Sequence, residues 1–168
     1  MVKKYFFVAL GCLALLIIGA LIVYRTHISE KERIRKRFHN IASLISREER
    51  ENPATSFMTM RSLSTYFHDP CIIEIGESSF SGEFSPDEIA RNIIRMRASC
   101  DRLKLSFHDL GITITGDDRA RAVFTAELTG RYQGGDISRH VREVRVDLRK
   151  IEKRWVCERA ETVEVLKR

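Results

Sequence analysis

The chain contains no C-x-x-C pair, no two histidines at helical i, i+4 spacing, no glycine-rich phosphate loop and no Gly-x-Ser-x-Gly. Each absence removes a class of chemistry. Without the cysteine pair, neither a structural zinc site nor a redox couple is spelled out. Histidines 27, 39, 68, 108 and 140 are too scattered for a helical metal site. Gly134-Gly135 reads as a hairpin turn, so no loop is left to cradle a nucleotide phosphate. Without the serine setting, the strand-to-helix elbow of the serine hydrolases is also missing. No cofactor is therefore expected, and no internal repeat is visible.

What is present is a basic chain with a strong hydrophobic start. The 168 residues carry a formal net charge of +6 and are 43% hydrophobic and 31% charged. The excess of Lys and Arg is spread over several segments with acids among them. Nucleic-acid binding normally needs that charge gathered on one face, so a nucleic-acid partner is not expected. Cys12 falls in the hydrophobic segment, while Cys71, Cys100 and Cys157 lie far apart and read as small buried side chains.

From Tyr5 to Tyr24 there is no charged residue, and Leu, Ile, Val, Phe and Ala dominate. Twenty residues at helical rise span about 30 Å, the thickness of a hydrocarbon core. Lys3, Lys4 and Arg25 bound the segment, and Tyr5 and Tyr24 take the places of interfacial aromatics. The expectation is a single-pass anchor over residues 1–25 holding one domain, 26–168, at a lipid bilayer. A cleaved signal would have a shorter apolar region and a small-x-small site; Ile18-Gly19-Ala20 fits that poorly because the apolar run continues to Val23. The stretch before Cys12 is too short for a lipoprotein signal. Basic residues near the segment favour a cytoplasmic domain, but that rule weakens for long domains, and Lys3 and Lys4 oppose export of the preceding end. The domain is expected outside the cytoplasm.

Ile34, Phe38, Ile41 and Ile45 recur at helical spacing and predict a first helix ending near Asn52-Pro53. A second helix is predicted with Phe57, Met60, Leu63 and Phe67 on its buried side, stopping at the turn His68-Asp69-Pro70. Cys71 to Ile75 reads as a strand and Gly76 to Phe84 as a loop or loose hairpin. Ser85-Pro86-Asp87-Glu88 is a helix start, with Ser as N-cap, Pro in the first turn and Glu88 closing a capping box. Beyond Cys100 the pattern alternates. Leu103, Leu105 and Phe107 share one parity and Leu110, Ile112 and Ile114 the other, which predicts a β-bulge near His108-Asp109. Gly116-Asp117-Asp118 is a turn. Strands follow along Ala120–Tyr132, through Val144, Val146 and Leu148, and from Trp155 to about Leu166. The order predicts an α+β domain, three helices on a curved antiparallel sheet, with Phe38, Phe67, Ile93, Phe124 and Trp155 in its core.

Several features together resemble the nuclear transport factor 2-like superfamily, the cone-shaped fold that includes ketosteroid isomerase and scytalone dehydratase. They are Tyr66-Phe67-His68-Asp69 running into the strand at Ile72, the capped helix from Ser85, Thr115-Gly116-Asp117-Asp118-Arg119-Ala120 before a long strand, and the closing hairpin from Leu148 to Trp155 and Val156. The resemblance spans roughly Glu30 to Leu166 and bears on fold more than function. A single span before such a domain is also similar to the inner-membrane scaffold subunit of type IV secretion machines, although no distinctive motif of that subunit carries over. In the isomerase branch the general base sits on the first strand, one residue beyond an acidic position. The matching pair here is Glu74-Ile75, and isoleucine accepts no proton. Strand alternation would turn Glu74 to the opposite face.

The pairs His68-Asp69 and His108-Asp109 place a carboxylate beside an imidazole, but neighbours on a strand point opposite ways and form no dyad alone. Arg139, Arg142, Arg145 and Arg149 could gather an anion, yet Arg145-x-Asp147-x-Arg149 alternating with Val144, Val146 and Leu148 is also what a solvent face looks like. Two functional expectations follow. The first is a non-catalytic, membrane-anchored interaction or scaffold domain of an envelope assembly, meeting a protein partner or a second copy of itself. The alternative is a small-molecule-binding pocket protein or degenerate isomerase or dehydratase using Tyr66, His68 or Asp109.

Overall fold

The computed structural model describes residues 30–47, 53–75, 81–132 and 134–163. The anchor predicted from Tyr5 to Tyr24 lies outside these residues. Among the described residues no helix is long and apolar enough to cross a membrane.

The described chain begins with a helix over residues 30–45 (α1). There follow α2 (Pro53–Ser64), β1 (Phe67–Glu74), β2 (Ser81–Phe84) and α3 (Pro86–Ala98). Four strands complete it: β3 (Cys100–Ile114), β4 (Arg119–Tyr132), β5 (Ile137–Ile151) and β6 (Arg154–Thr162). The six strands form one sheet in the order β2-β1-β6-β5-β4-β3.

The apolar stripe of α1 behaves as its spacing requires, with Ile34, Phe38 and Ile45 buried. The helix stops earlier than predicted, at residue 45. Arg47 then exchanges backbone hydrogen bonds with Leu103 at 2.6 and 2.9 Å, so the chain leaves helical geometry to meet β3. Pro53 opens α2 instead of closing α1, which suits a residue lacking the N–H that the first turn leaves unused.

On α2 the predicted buried side is corrected. Thr59 and Leu63, four residues apart, are buried, whereas Phe57 is 59% exposed. Phe67 belongs to β1, which runs through His68-Asp69-Pro70; the expected turn is a stretch of strand with a cis Asp69–Pro70 peptide. The capping box at the start of α3 forms as read. Ser85 N–H donates to the Glu88 carboxylate at 2.8 Å, and Glu88 N–H donates back to Ser85 Oγ. The predicted bulge is where the parity changed: the β3–β4 register shifts between His108 and Gly111, and Asp109 has φ of 56°. That left-handed conformation is one Asp tolerates better than most residues. Gly76–Phe84 resolves in part into β2, which pairs antiparallel with β1.

The sheet is antiparallel at every junction except one. β1 lies parallel to β6, with Ile72 opposite Arg159 and Ile73 opposite Ala160, which corrects the wholly antiparallel expectation. A parallel pair needs a long crossover, and everything from β2 to β5 serves as one here. The last strand thereby returns to lie beside the first, in the middle of an open sheet whose edges are β2 and β3.

Two apolar clusters hold the elements together. The larger joins Ile34 and Phe38 of α1 to Cys71, Ile73, Phe124, Val144, Val146, Leu148 and Trp155 of the sheet. The smaller joins Ile45, Leu63, Ala90, Cys100 and Leu103, tying α1, α2 and α3 to the start of β3. Of the predicted core, Phe38, Phe124 and Trp155 are buried, and Phe67 and Ile93 pack against the clusters half-buried.

Candidate functional site

The sheet curves round α1 without filling the space between them. A cavity of about 230 Å³ remains, bounded by Ile34, Arg37, Phe38, Ile41 and Ile45 of α1 and by the inner face of the sheet. Its floor follows from strand alternation, with a bulge in β6 between Cys157 and Arg159 shifting the phase so that Ala160 also faces inward. Phe124 and Ala126 of β4, Val144, Val146 and Leu148 of β5, and Trp155, Cys157 and Ala160 of β6 all point inward. Phe38, Phe107 and Phe124 meet edge to face, with ring centroids 4.7–5.6 Å apart, and line one wall. Such contacts fix rings beyond what their burial alone does.

Trp155 is the only tryptophan of the chain. Its Nε1–H donates to the Glu30 carboxylate at 2.7 Å, and Lys150 Nζ reaches the other Glu30 oxygen at 3.1 Å. The first described residue of α1 is thus tied to the β5–β6 hairpin. Burial pushes the Glu30 carboxyl up, but the hydrogen bonds and charge supplied by Trp155 and Lys150 outweigh it and hold it below its ordinary value.

Among the described residues, the one charged residue of the lining stands beside a tyrosine. Arg37 and Tyr66 lie together there, with the guanidinium carbon 4.0 Å from the Tyr66 ring centroid and Arg37 Nη2 donating to the Thr65 carbonyl at 2.8 Å. Burial, with the like charge of Arg154 and against the pull of Tyr66, holds the Arg37 guanidinium below its ordinary value. Arg37 is the one charged residue in the cavity lining among the described residues.

The sequence-predicted candidates do not converge. Tyr66 lines the cavity; His68 and Asp109 do not. His68 Nδ1–H donates to the Pro70 carbonyl of its own strand at 3.0 Å. Asp109 sits exposed on the bulge. His108 turns from its neighbour to Glu127, with Nε2 at 3.3 Å from the carboxylate, so neither His-Asp pair makes a dyad. At the position matched to the isomerase base, Ile75 lines the cavity, and Glu74 faces away to Arg159 at 2.6 Å.

The arginines of the closing strands are engaged with acids. Arg145 pairs with Glu161 at 2.7 Å, Arg149 with Glu158 at 3.4 Å and Arg139 with Glu127 at 2.8 Å. Arg142 reaches only the Val141 carbonyl, at 3.0 Å. These side chains are a solvent face laced by ion pairs.

Arg37 was not among the residues that the sequence singled out. A signal was available: Arg33 and Arg35 each follow a glutamate by three residues and pair with it at 3.0 Å, whereas Arg37 follows Ile34. Sequence reasoning also missed that Cys71 and Cys157, distant in sequence, meet with sulfurs 3.7 Å apart. Hydrogen bonding with Cys71 and burial push the Cys157 thiol well above its ordinary value, so it is a poor nucleophile.

The architecture, a curved antiparallel-rich sheet wrapped on helices around a cone, is the nuclear transport factor 2-like fold. No protein-family model matches the chain, and no curated protein matches it in sequence. Solved structures do. A nuclear transport factor 2-like protein with a cystatin-like fold from Novosphingobium aromaticivorans superposes with a TM-score of 0.64 at 16% identity, over 88% of this chain and 90% of that one. A scytalone dehydratase-like protein from the same organism gives 0.63 at 12% identity, over 82% and 85%. The association domain of C. elegans CaMKII gives 0.56 at 15%, over 80% and 95%. At such identities the likeness establishes the fold and leaves function to the site.

Proposed function

We propose that this chain is a membrane-tethered, non-catalytic module of the nuclear transport factor 2-like fold whose cone holds a small apolar molecule. The observation that carries this is the unfilled cavity of about 230 Å³ with an almost wholly apolar lining. Dry apolar cavities of about 150 Å³ accept benzene, so this volume suffices for a larger guest. Isoleucine stands where a base would be needed, and His68 and Asp109 lie elsewhere, so a bound molecule would meet shape and apolar surface rather than a carboxylate or imidazole base. Neighbours of the same fold include a scytalone dehydratase-like protein and an association domain, and the fold alone does not choose between pocket and scaffold.

Tethering rests on the Tyr5–Tyr24 segment, and a domain outside the cytoplasm remains part of the proposal. Carbonate washing should leave the full chain in the membrane pellet. A reporter that fluoresces only in the cytoplasm, fused after Arg168, should stay dark; bright fluorescence would reverse the orientation.

Trp155 makes the pocket reading measurable. In the full chain reconstituted in phosphatidylcholine nanodiscs, decanol should change Trp155 emission saturably. A linear, unsaturable response would remove the reading.

A second reading, docking of a protein partner in an envelope assembly or of a second copy, has one observation in its favour. Phe57 and Met58 stand adjacent on α2, 59% and 66% exposed. Crosslinking in native membranes should then capture a stoichiometric partner through α2, and Phe57→Ser with Met58→Ser should abolish the capture.

A further inference from the structure

The mouth of the cavity carries information that its apolar walls do not. On α1, Arg33 and Arg35 pair with Glu30 and Glu32, each three residues earlier, at 3.0 Å. Arg37 has no such neighbour: residues 33, 34, 40 and 41, which share its face at i±3 and i±4, are Arg, Ile, Asn and Ile. Across the chain fold it meets a carbonyl oxygen and the face of an aromatic ring, both electron-rich and neither a counter-ion. A guanidinium has five N–H donors in a fork that fits a carboxylate, and a half-buried cation without an anion has electrostatic energy to gain by acquiring one.

Resting on the reading of the cone as a binding cavity, we propose that its ligand is a medium-chain carboxylate, its tail in the apolar cavity and its head on Arg37. The tail length follows from volume. If about 150 Å³ accommodates the six carbons of benzene, 230 Å³ accommodates about nine. The tail that this volume holds is therefore that of a free acid of about eight to ten carbons. The head group follows from charge, since Arg37 is the only charged residue beside the cavity among the described residues. Tyr66 lies against the guanidinium and lines the cavity beside it.

The test uses the full chain in phosphatidylcholine nanodiscs with Trp155 emission as the readout, comparing decanoate with decanol. Both have the same tail, and each is compared between proteins in the same bilayer, so partitioning into lipid cancels. Wild-type protein should bind decanoate about tenfold more tightly than decanol, the size of one charge-assisted contact. Arg37→Gln should remove that advantage while leaving decanol within about twofold, which also shows that the variant is folded. Arg37→Lys should restore part of it. Raising salt should weaken decanoate and leave decanol unchanged. Equal binding of decanoate and decanol by wild type, or decanoate binding indifferent to Arg37→Gln, would overturn the head-group assignment alone. Failure of both ligands to bind would overturn the cavity reading with it.

Discussion

The two faces of the sheet handle arginine in opposite ways. On the outer face Arg119, Arg121, Arg145, Arg149 and Arg159 each lie within 3.4 Å of a carboxylate. These pairs link neighbouring strands, with Glu74, Arg159, Glu161 and Arg145 forming one chain across β1, β6 and β5. Facing the inner side of the sheet, α1 brings one arginine to the cavity, Arg37, which meets no carboxylate among the described residues. The outer arrangement is satisfied internally and asks nothing of a ligand. The inner one leaves an uncompensated charge beside an empty apolar volume, which is why the candidate site belongs there.

Perturbing each face should separate them. The largest effect is expected inside: Phe124→Ala removes a ring that is 4% exposed and supports both Phe38 and Phe107. It should cost about 3–5 kcal/mol in denaturant unfolding. A cost below about 1 kcal/mol would mean that the inner face is not the core.

Filling the cavity tests its role without emptying the core. Ala126 lines it from β4. Ala126→Leu should weaken decanol binding by about tenfold, the equivalent of about 1.4 kcal/mol, with the melting temperature near that of wild type. Unchanged binding would place the ligand elsewhere.

A smaller effect is expected where the two faces meet, at Glu30. Its carboxyl is held below its ordinary value in the folded protein, so its contribution is present above that ordinary value, about pH 4.3, and is lost as pH falls through the lower folded value. Acidification through that lower value should therefore shift Trp155 emission as its Nε1–H loses the carboxylate. Glu30→Gln should lack that transition. The same transition in the variant would assign it to another group.

The smallest effect belongs to the outer face. A double-mutant cycle on Arg145 and Glu161, each to Gln, should give a coupling of about 0.2–1 kcal/mol that fades with salt. A larger, salt-independent value would make the outer face a structural core of its own and erase the contrast.

Much of this architecture was readable before any coordinates. The stripe Ile34-Phe38-Ile45 declared a buried helix face because the helical repeat returns those positions to one side. The box Ser85–Glu88 announced α3 through local hydrogen bonding alone. The parity change around His108-Asp109 marked a bulge, since a period of two cannot change phase without an extra residue. These features are local, and local chemistry is written in neighbouring residues.

The misreadings concern partners far apart in sequence. Phe57 looked as apolar as Leu63, and only the packing of α2 against α3 decided that Leu63 goes in and Phe57 stays out. The parallel pairing of β1 with β6 spans most of the domain, and no pattern inside either strand encodes it.

The candidate site divides along the same line. The sequence by itself determined the α+β class, the apolar character of the inner strand positions, the isoleucine at 75 and the lack of an acid one turn from Arg37. Only the tertiary structure decided that these positions line a cavity, that Tyr66 joins it while His68 and Asp109 do not, and that Arg37 lies beside it against Tyr66. The physical reason is range. Helix caps, alternation and bulges arise between residues a few positions apart, whereas a cavity is the space that several distant elements fail to fill when they pack together.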